Sequence, residues 1–108
     1  MKLWIDDVRT SPDGWVWCKS SKEAVDLLIK HNIEPNEDRI THISFDHDLG
    51  IDIDGSLDEA IVVAKFIEEA VYNKLMLSKI HWDVHSANPV GKTNIEMTME
   101  SAERFWKS

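Results

Sequence analysis

The stretch Ser44-Phe45-Asp46-His47-Asp48-Leu49-Gly50 decides how this chain folds and where its chemistry collects. It closes an apolar run from Ile40 to Phe45, which has the length and composition of a buried strand. Three ionisable side chains follow in consecutive positions. Because carboxylates this close repel one another, the folded state favours a bound cation, and hard metals such as Mg²⁺ bind carboxylate oxygens. We therefore expect a metal site at the carboxyl end of this strand.

Segments with strand-like and helix-like sequence patterns alternate along the chain on both sides of this stretch. Strands are predicted from their apolar and aromatic content at Leu3–Ile5, Trp15–Cys18, Ile40–Phe45 and Ile80–Val84. Helix starts are predicted by a capping-box spacing at Ser20 with Glu23, by the same spacing at Ser56 with Glu59, and by Asn88-Pro89. The resulting order, β-β-α-β-α-β-α, predicts an α/β domain with a mostly parallel sheet of about four strands and right-handed crossovers.

Three of the four predicted strands end in polar side chains: Asp6-Asp7, Asp46-His47-Asp48 and His85-Ser86. Ligands bind open parallel sheets outside the carboxyl ends of the strands, so we expect these groups to meet. The interpretation is a pocket in which Asp6, Asp7 and Asp46 hold Mg²⁺ or Mn²⁺, with Asp48 either completing the pocket or fixing its loop. The alternative is that the acids are only polar strand ends or helix caps.

His47 and His85 stand at two of these strand ends. Each alone could be a structural histidine, but together beside the acids they are candidates for general acid and general base. His31, His42 and His81 have no such context, and we interpret them as structural.

The segment from Ser86 to Thr93 resembles a phosphate-binding P-loop with serine in place of its first glycine. It follows the last strand rather than the first, which disfavours a nucleoside-triphosphate site. The remaining hypothesis is that the helix start binds a phosphate through Ser86, Asn88, Gly91 and Lys92. Arg9 is either a second anion contact or a partner for the acids.

Asp52-Ile53-Asp54-Gly55 invites comparison with a calcium-binding loop. Aligning Gly55 with the invariant glycine of such loops puts Gly50 and Ile61 where acids are required, so the match fails. We interpret Asp52 and Asp54 as solvated loop residues.

Composition limits the classes of function. The 108 residues fit one domain, 1–108, and carry a net charge of −8. That charge argues against an extended nucleic-acid surface, although a small phosphorylated ligand or an RNA end could still bind locally. No apolar run is long enough for a membrane span, and Cys18 is the only cysteine, so we expect a cytoplasmic protein. A partner protein is neither indicated nor excluded.

The acids and Ser86 resemble the acidic pair, phosphoacceptor aspartate and serine or threonine of response-regulator receiver domains. A closer resemblance is to the cyclic-phosphate-processing receiver domain, a divergent relative. Its characteristic sequence motifs are similar to the segments Leu3–Arg9, Ser44–Gly50 and Val84–Lys92 of this chain. Lys92 stands where that family would have arginine.

This resemblance implies a receiver-like (flavodoxin-like) three-layer sandwich and a role on nucleotide or RNA cyclic phosphates, as in RNA repair. The leading hypothesis is a metal-dependent phosphoesterase in which Asp6, Asp7 and Asp46 bind the metal. A second is a phosphoaccepting signalling domain with Asp46 as nucleophile, although the receiver's fifth strand with its lysine is missing. A third is a non-catalytic module that binds a phosphorylated ligand or a protein.

Overall fold

The computed structural model describes residues 1–51, 54–76 and 78–107. Its strands are β1 (Lys2–Ile5), β2 (Val16–Cys18), β3 (His42–Phe45), β4 (Asp48–Ile51), β5 (Leu57–Glu59) and β6 (His81–Val84). Its helices are α1 (Ser21–Leu28), α2 (Ile61–Tyr72) and α3 (Pro89–Lys107), and a π-helical turn, Ile29–Ile33, extends α1.

The main sheet has four strands in the order β2-β1-β3-β6, and every pairing in it is parallel. This confirms the predicted receiver-like α/β class and its parallel sheet. Because parallel neighbours run in the same direction, the ends of β1, β3 and β6 lie side by side at one edge. That edge carries Asp6, Asp46 and His85.

One face of the sheet and all three helices form a single core. Leu3, Ile5, Ile43 and Phe45 alternate along β1 and β3 and are essentially fully buried against helix residues. Burying each such side chain stabilises the fold by about 1.5–3 kcal/mol relative to leaving it in water. α2 packs against both α1 and α3, so the helices share this face.

The opposite face of the sheet carries no helix in the described ranges. Residues 6–15 connect β1 to its parallel neighbour β2 and run across this face, held by two indole N–H groups. Trp17 Nε1 donates to the Asp6 carbonyl at 2.6 Å, and Trp4 Nε1 donates to the Arg9 carbonyl at 3.0 Å. The expected third layer is therefore a loop, because ten residues are too few for a helix and its two connections.

Two of the three predicted helix starts are confirmed. The Glu23 amide donates to Ser20 Oγ at 3.2 Å, and α1 begins at the next residue after this cap. Asn88 caps α3, because its Oδ1 accepts from the Gly91 amide at 3.1 Å while Pro89 takes the first helical position.

The predicted capping box of Ser56 with Glu59 is wrong. Residues 57–59 instead form β5, which pairs antiparallel with β4, and α2 begins at Ile61 without a side-chain cap. Ser56 donates from its amide and its hydroxyl to Asp54 Oδ1. This side-chain turn supports a hairpin that competes with the helix for these residues. Asp54 is exposed, and Asp52 lies outside the described residues.

Asp58 is buried on this hairpin and attaches it to α1. Its two oxygens accept from the Ser21 amide at 2.8 Å and from Ser21 Oγ at 2.6 Å. Replacing Asp58 with alanine leaves two buried donors without partners, so we expect the free energy of unfolding to fall by about 2–4 kcal/mol. Urea unfolding measures the loss, and Glu100→Ala, at an exposed carboxylate of α3, is the control. Equal stability of the two variants would contradict this role.

None of the helices in the described part of the chain combines the length and apolarity that a membrane crossing requires.

Candidate functional site

Three carboxylates meet at the carboxyl edge of the sheet. Asp6, Asp7 and Asp46 each place one oxygen so that the three atoms lie within 4.8 Å of one another. Asp6 is buried, and the other two are half-buried. Oxygen-only donors of this kind fit a hard cation such as Mg²⁺ or Mn²⁺ better than a soft one. We call these three residues the acidic trio; their role as metal ligands stays a prediction.

Asp6 is the most constrained member of the trio. Its Oδ1 accepts from the amides of Val8 and Arg9, both at 2.9 Å, and its Oδ2 lies 3.0 Å from His85 Nε2. Burial alone raises the pKa of Asp6, but the hydrogen bonds from Arg9, Val8 and His85 outweigh it and leave the pKa below its ordinary value. The carboxylate is thus ionised while being almost wholly enclosed.

The lowered pKa of Asp6 predicts a pH dependence of stability. Folding favours its ionised form, so this stabilisation is complete above the ordinary pKa of 3.8 and is lost as the pH falls through the lower folded value. In chelator, we expect the urea midpoint of the wild type to fall more steeply below about pH 4 than that of Asp6→Asn. Parallel profiles for the two proteins would count against the assigned shift.

His85 belongs to a chain of hydrogen bonds with a carboxylate at each end. Its Nδ1 lies 2.7 Å from Ser44 Oγ, and the same hydroxyl donates to Asp83 Oδ1. Its Nε2 faces Asp6, and one ring face stacks on Trp4 with centroids 4.0 Å apart. Because an ionised carboxylate can only accept, Nε2 must carry a proton to bond Asp6. His85 is therefore fixed as a donor toward the acidic trio.

His47 lies on the other side of the β3 end, towards the helices. Its Nδ1 is 3.0 Å from Asp48 Oδ1, and its Nε2 is 3.4 Å from Glu59 Oε2 on β5. Its ring packs on Gly91 and borders a groove of about 400 Å³ between α2 and α3. The two candidate histidines thus stand on opposite faces of the sheet.

Asp48 is exposed and lies outside the acidic trio. Besides His47, it contacts Asn88, whose Nδ2 donates to Asp48 Oδ2 at 3.4 Å. Of its two expected roles, this placement corresponds to fixing the loop. Gly50 follows in the left-handed region with φ of +78°, and a Cβ there would approach Asp7 Oδ2 to 3.0 Å. The hairpin can reach Asp7 this closely because position 50 is glycine.

The predicted phosphate-binding residues mostly bond one another. Ser86 Oγ accepts from the Asn88 amide at 3.1 Å, and Asn88 in turn caps α3 through the Gly91 amide. Lys92 is exposed on the first turn of α3, and no ion pair holds it within the described residues. Arg9 Nη1 donates to the His85 carbonyl at 2.9 Å and lies 3.9 Å from Asp6 Oδ2. Its side chain is 51% exposed, so a cation stands at the rim of the acidic trio.

The amino-acid sequence of this chain matches a known protein family. The model of the cyclic-phosphate processing receiver domain covers residues 1–101 of the 108. The chain belongs to this family. No curated protein and no solved structure matches the chain. The acidic trio, His85 and the α3 start of this receiver domain all fall inside the matched range.

Sequence reasoning missed Ser44, Asp83 and Glu59 as members of the site. A signal for the first two was present, because side chains alternate along a strand and Ser44 shares a face with Asp46, as Asp83 does with His85. That they touch depends on Ser44 pairing with Asp83 across β3 and β6. No local pattern fixes that register. Glu59 was assigned to a helix cap, which placed it on the wrong element.

Proposed function

We propose that this receiver domain is a metal-dependent phosphoesterase that opens a cyclic phosphodiester, such as the 2′,3′-cyclic phosphate of a nucleotide or RNA end. The observation that carries the proposal is the acidic trio with His85 Nε2 held 3.0 Å from Asp6 Oδ2. Membership of a cyclic-phosphate processing family supports the choice of substrate class.

The acidic trio would hold the metal through one oxygen of each residue. When bound there, Mg²⁺ or Mn²⁺ supplies positive charge for a phosphoryl oxygen and for an activated water. The chain's own cation at this place is Arg9, whose half-exposed guanidinium can bond a phosphate oxygen with charge-assisted hydrogen bonds. Lys92 is a second such cation at the start of α3.

Ring opening adds water across one P–O bond. The hydroxyl of the water joins phosphorus as the P–O bond to one ribose oxygen breaks, the water's other proton passes to solvent, and the leaving ribose oxygen takes a proton from a donor that solvent then reprotonates. His85 is placed to give that proton, because its Nε2 is held as a donor by Asp6 while Ser44 and Trp4 fix its ring. His47 acts as a positioning residue, since both of its nitrogens face Asp48 and Glu59.

A substrate panel tests this function. It comprises 2′,3′- and 3′,5′-cyclic nucleotides and an oligoribonucleotide ending in a 2′,3′-cyclic phosphate, each with Mg²⁺, Mn²⁺ or chelator. We expect metal-dependent conversion of a 2′,3′-cyclic phosphate to a monoester and no conversion in chelator. Binding without turnover under every metal would instead support the non-catalytic reading.

A second candidate function is phosphoryl transfer to Asp46, favoured by its place after β3 beside Asp6 and Asp7. A carboxylate oxygen of Asp46 would attack phosphorus of a phosphodonor such as acetyl phosphate, the bond from phosphorus to the acetate oxygen would break with release of acetate, and Asp46 would become an acyl phosphate. Incubation with acetyl phosphate and Mg²⁺, followed by intact mass measurement, separates the two proposals. A stable adduct that Asp46→Asn abolishes would favour signalling over hydrolysis.

A further inference from the structure

The sheet face opposite the helices carries a continuous run of rings. His85 stacks on Trp4 at 4.0 Å, and Trp4 meets Trp15 edge to face at 6.1 Å. Trp15 meets His42 at 6.5 Å, and His42 stacks on His81 at 5.1 Å. We call these five side chains the ring surface. It extends from the acidic trio across the sheet to the amino ends of β3 and β6.

The ring surface is partly open to solvent, and it differs from the helix-side tryptophans in what its rings contact. His81 is exposed, and the other four side chains are half-buried. By contrast, Trp82 and Trp106 pack against the core, with indole N–H groups bonded to Glu103 and to the Met76 carbonyl. In the described part of the chain this face is crossed by the loop 6–15 but by no helix, and a partly exposed aromatic surface of this extent is typical of a binding site.

Cations border the ring surface although the chain as a whole has a charge of −8. Lys2 Nζ lies 5.5 Å from the Trp15 ring centroid, and Lys19 Nζ lies 4.4 Å from that of Trp17. Arg9 stands at the end next to His85. Burial first, and then the nearby charges of His81, Lys2 and the amino terminus, lower the pKa of His42. Rings flanked by cations complement a ligand that has both bases and phosphates.

We propose that the ring surface binds single-stranded RNA, with bases stacked on Trp15 and its neighbours and phosphates paired with Lys2 and Lys19. The run of rings is longer than one base, which favours a strand over a mononucleotide. Rings for base stacking and bordering lysines for phosphates are the combination found at single-strand binding sites, which favours a nucleic-acid strand over a protein partner. A strand bound here would have one end at His85 and so at the acidic trio.

That last step rests on the proposed phosphoesterase function, whereas binding to the ring surface does not. A purely structural role accounts for Trp4 and Trp17, whose indole N–H groups hold the loop 6–15. It does not account for Trp15, whose indole N–H makes no hydrogen bond within the described residues. Trp15 is therefore the residue that distinguishes the two readings.

Nitrogen-15 NMR of the five indole N–H groups tests the proposal on the unmodified protein. A six-nucleotide oligoadenylate with a 3′-hydroxyl end is added in EDTA, so neither metal nor turnover contributes. We expect the Trp15 indole signal to shift with saturation, while those of Trp82 and Trp106 stay in place. An unchanged Trp15 signal, or shifts confined to the helix-side indoles, would overturn the proposal.

Variants test it by fluorescence anisotropy with the same labelled RNA in EDTA. Trp15→Ala is expected to weaken binding about tenfold, and Trp15→Phe to retain most of it. Lys2→Glu alters an exposed side chain, so this variant should fold even if Trp15→Ala does not. It should weaken RNA binding and reduce, by about one, the slope of the logarithm of the binding constant against the logarithm of the salt concentration. Tyr72→Ala, at an exposed aromatic of α2, is the control and should bind normally. Wild-type affinity in both Trp15→Ala and Lys2→Glu, or no binding by the wild type, would refute the ring surface as an RNA site.

Discussion

Replacing Asp46 with asparagine is expected to abolish metal-dependent opening of a 2′,3′-cyclic phosphate, lowering kcat/KM by about two to three orders of magnitude or more. The amide has the shape of the carboxylate but no charge, so one of the three anionic donors of the acidic trio is lost. Asparagine can still accept the His47 amide hydrogen bond that Asp46 Oδ1 accepts at 2.9 Å. The fold should therefore survive the change.

Metal affinity provides a readout that does not depend on turnover. Titration calorimetry with Mn²⁺ should show weaker binding to Asp46→Asn than to the wild type. Asp48→Asn is the matched control, because it removes one carboxylate two residues away that lies outside the trio. We expect its Mn²⁺ affinity to remain close to the wild-type value. Undiminished turnover in Asp46→Asn, or equal losses in the two variants, would remove Asp46 from its assigned role.

The position of the trio was predictable because it depends on strand direction rather than on detailed register. Apolar runs predicted β1, β3 and β6, and the acids or histidines after them had to meet once the strands were parallel. The alternation of side chains along each strand also explains which other residues lie beside these groups. Asp6, Asp46 and His85 share the face opposite the helices with the strand residues two positions before them, Trp4, Ser44 and Asp83. Core packing thus occupies one face of the sheet, and the polar and aromatic groups occupy the other.

The hairpin and the layering could not be predicted, for physical reasons that are nonlocal. Ser56 and Glu59 have the spacing of a helix cap, but residues 57–59 pair with β4 as a strand instead of beginning a helix. The burial of Asp58 against Ser21, 37 residues earlier in the chain, is part of what fixes that pairing. Likewise, a run such as Trp15–Cys18 predicts a strand but not which of its faces lacks a covering helix. Both features depend on contacts between distant segments.

Gly91 provides the second large expected effect, because the first turn of α3 lies directly on the His47 ring. A Cβ at position 91 would lie within 2.7 Å of His47 Nδ1 and closer still to Cγ and Cδ2. The ring cannot easily move away, because its Cγ is only one bond from Cβ and its nitrogens face Asp48 and Glu59. We expect Gly91→Ala to lower the free energy of unfolding by about 1–3 kcal/mol and to reduce turnover by shifting this side of the site.

A double-mutant cycle separates this clash from any other effect of the new methyl group. In a His47→Ala background the ring is gone, so Gly91→Ala should become neutral or stabilising by up to about 1 kcal/mol, as alanine is in a helix interior. The same substitution would then change the sign of its effect on the urea midpoint according to residue 47. An equal destabilisation in both backgrounds would show that Gly91 is required by the backbone rather than by His47. The sign change, if observed, establishes that the His47 ring is what excludes a side chain at position 91.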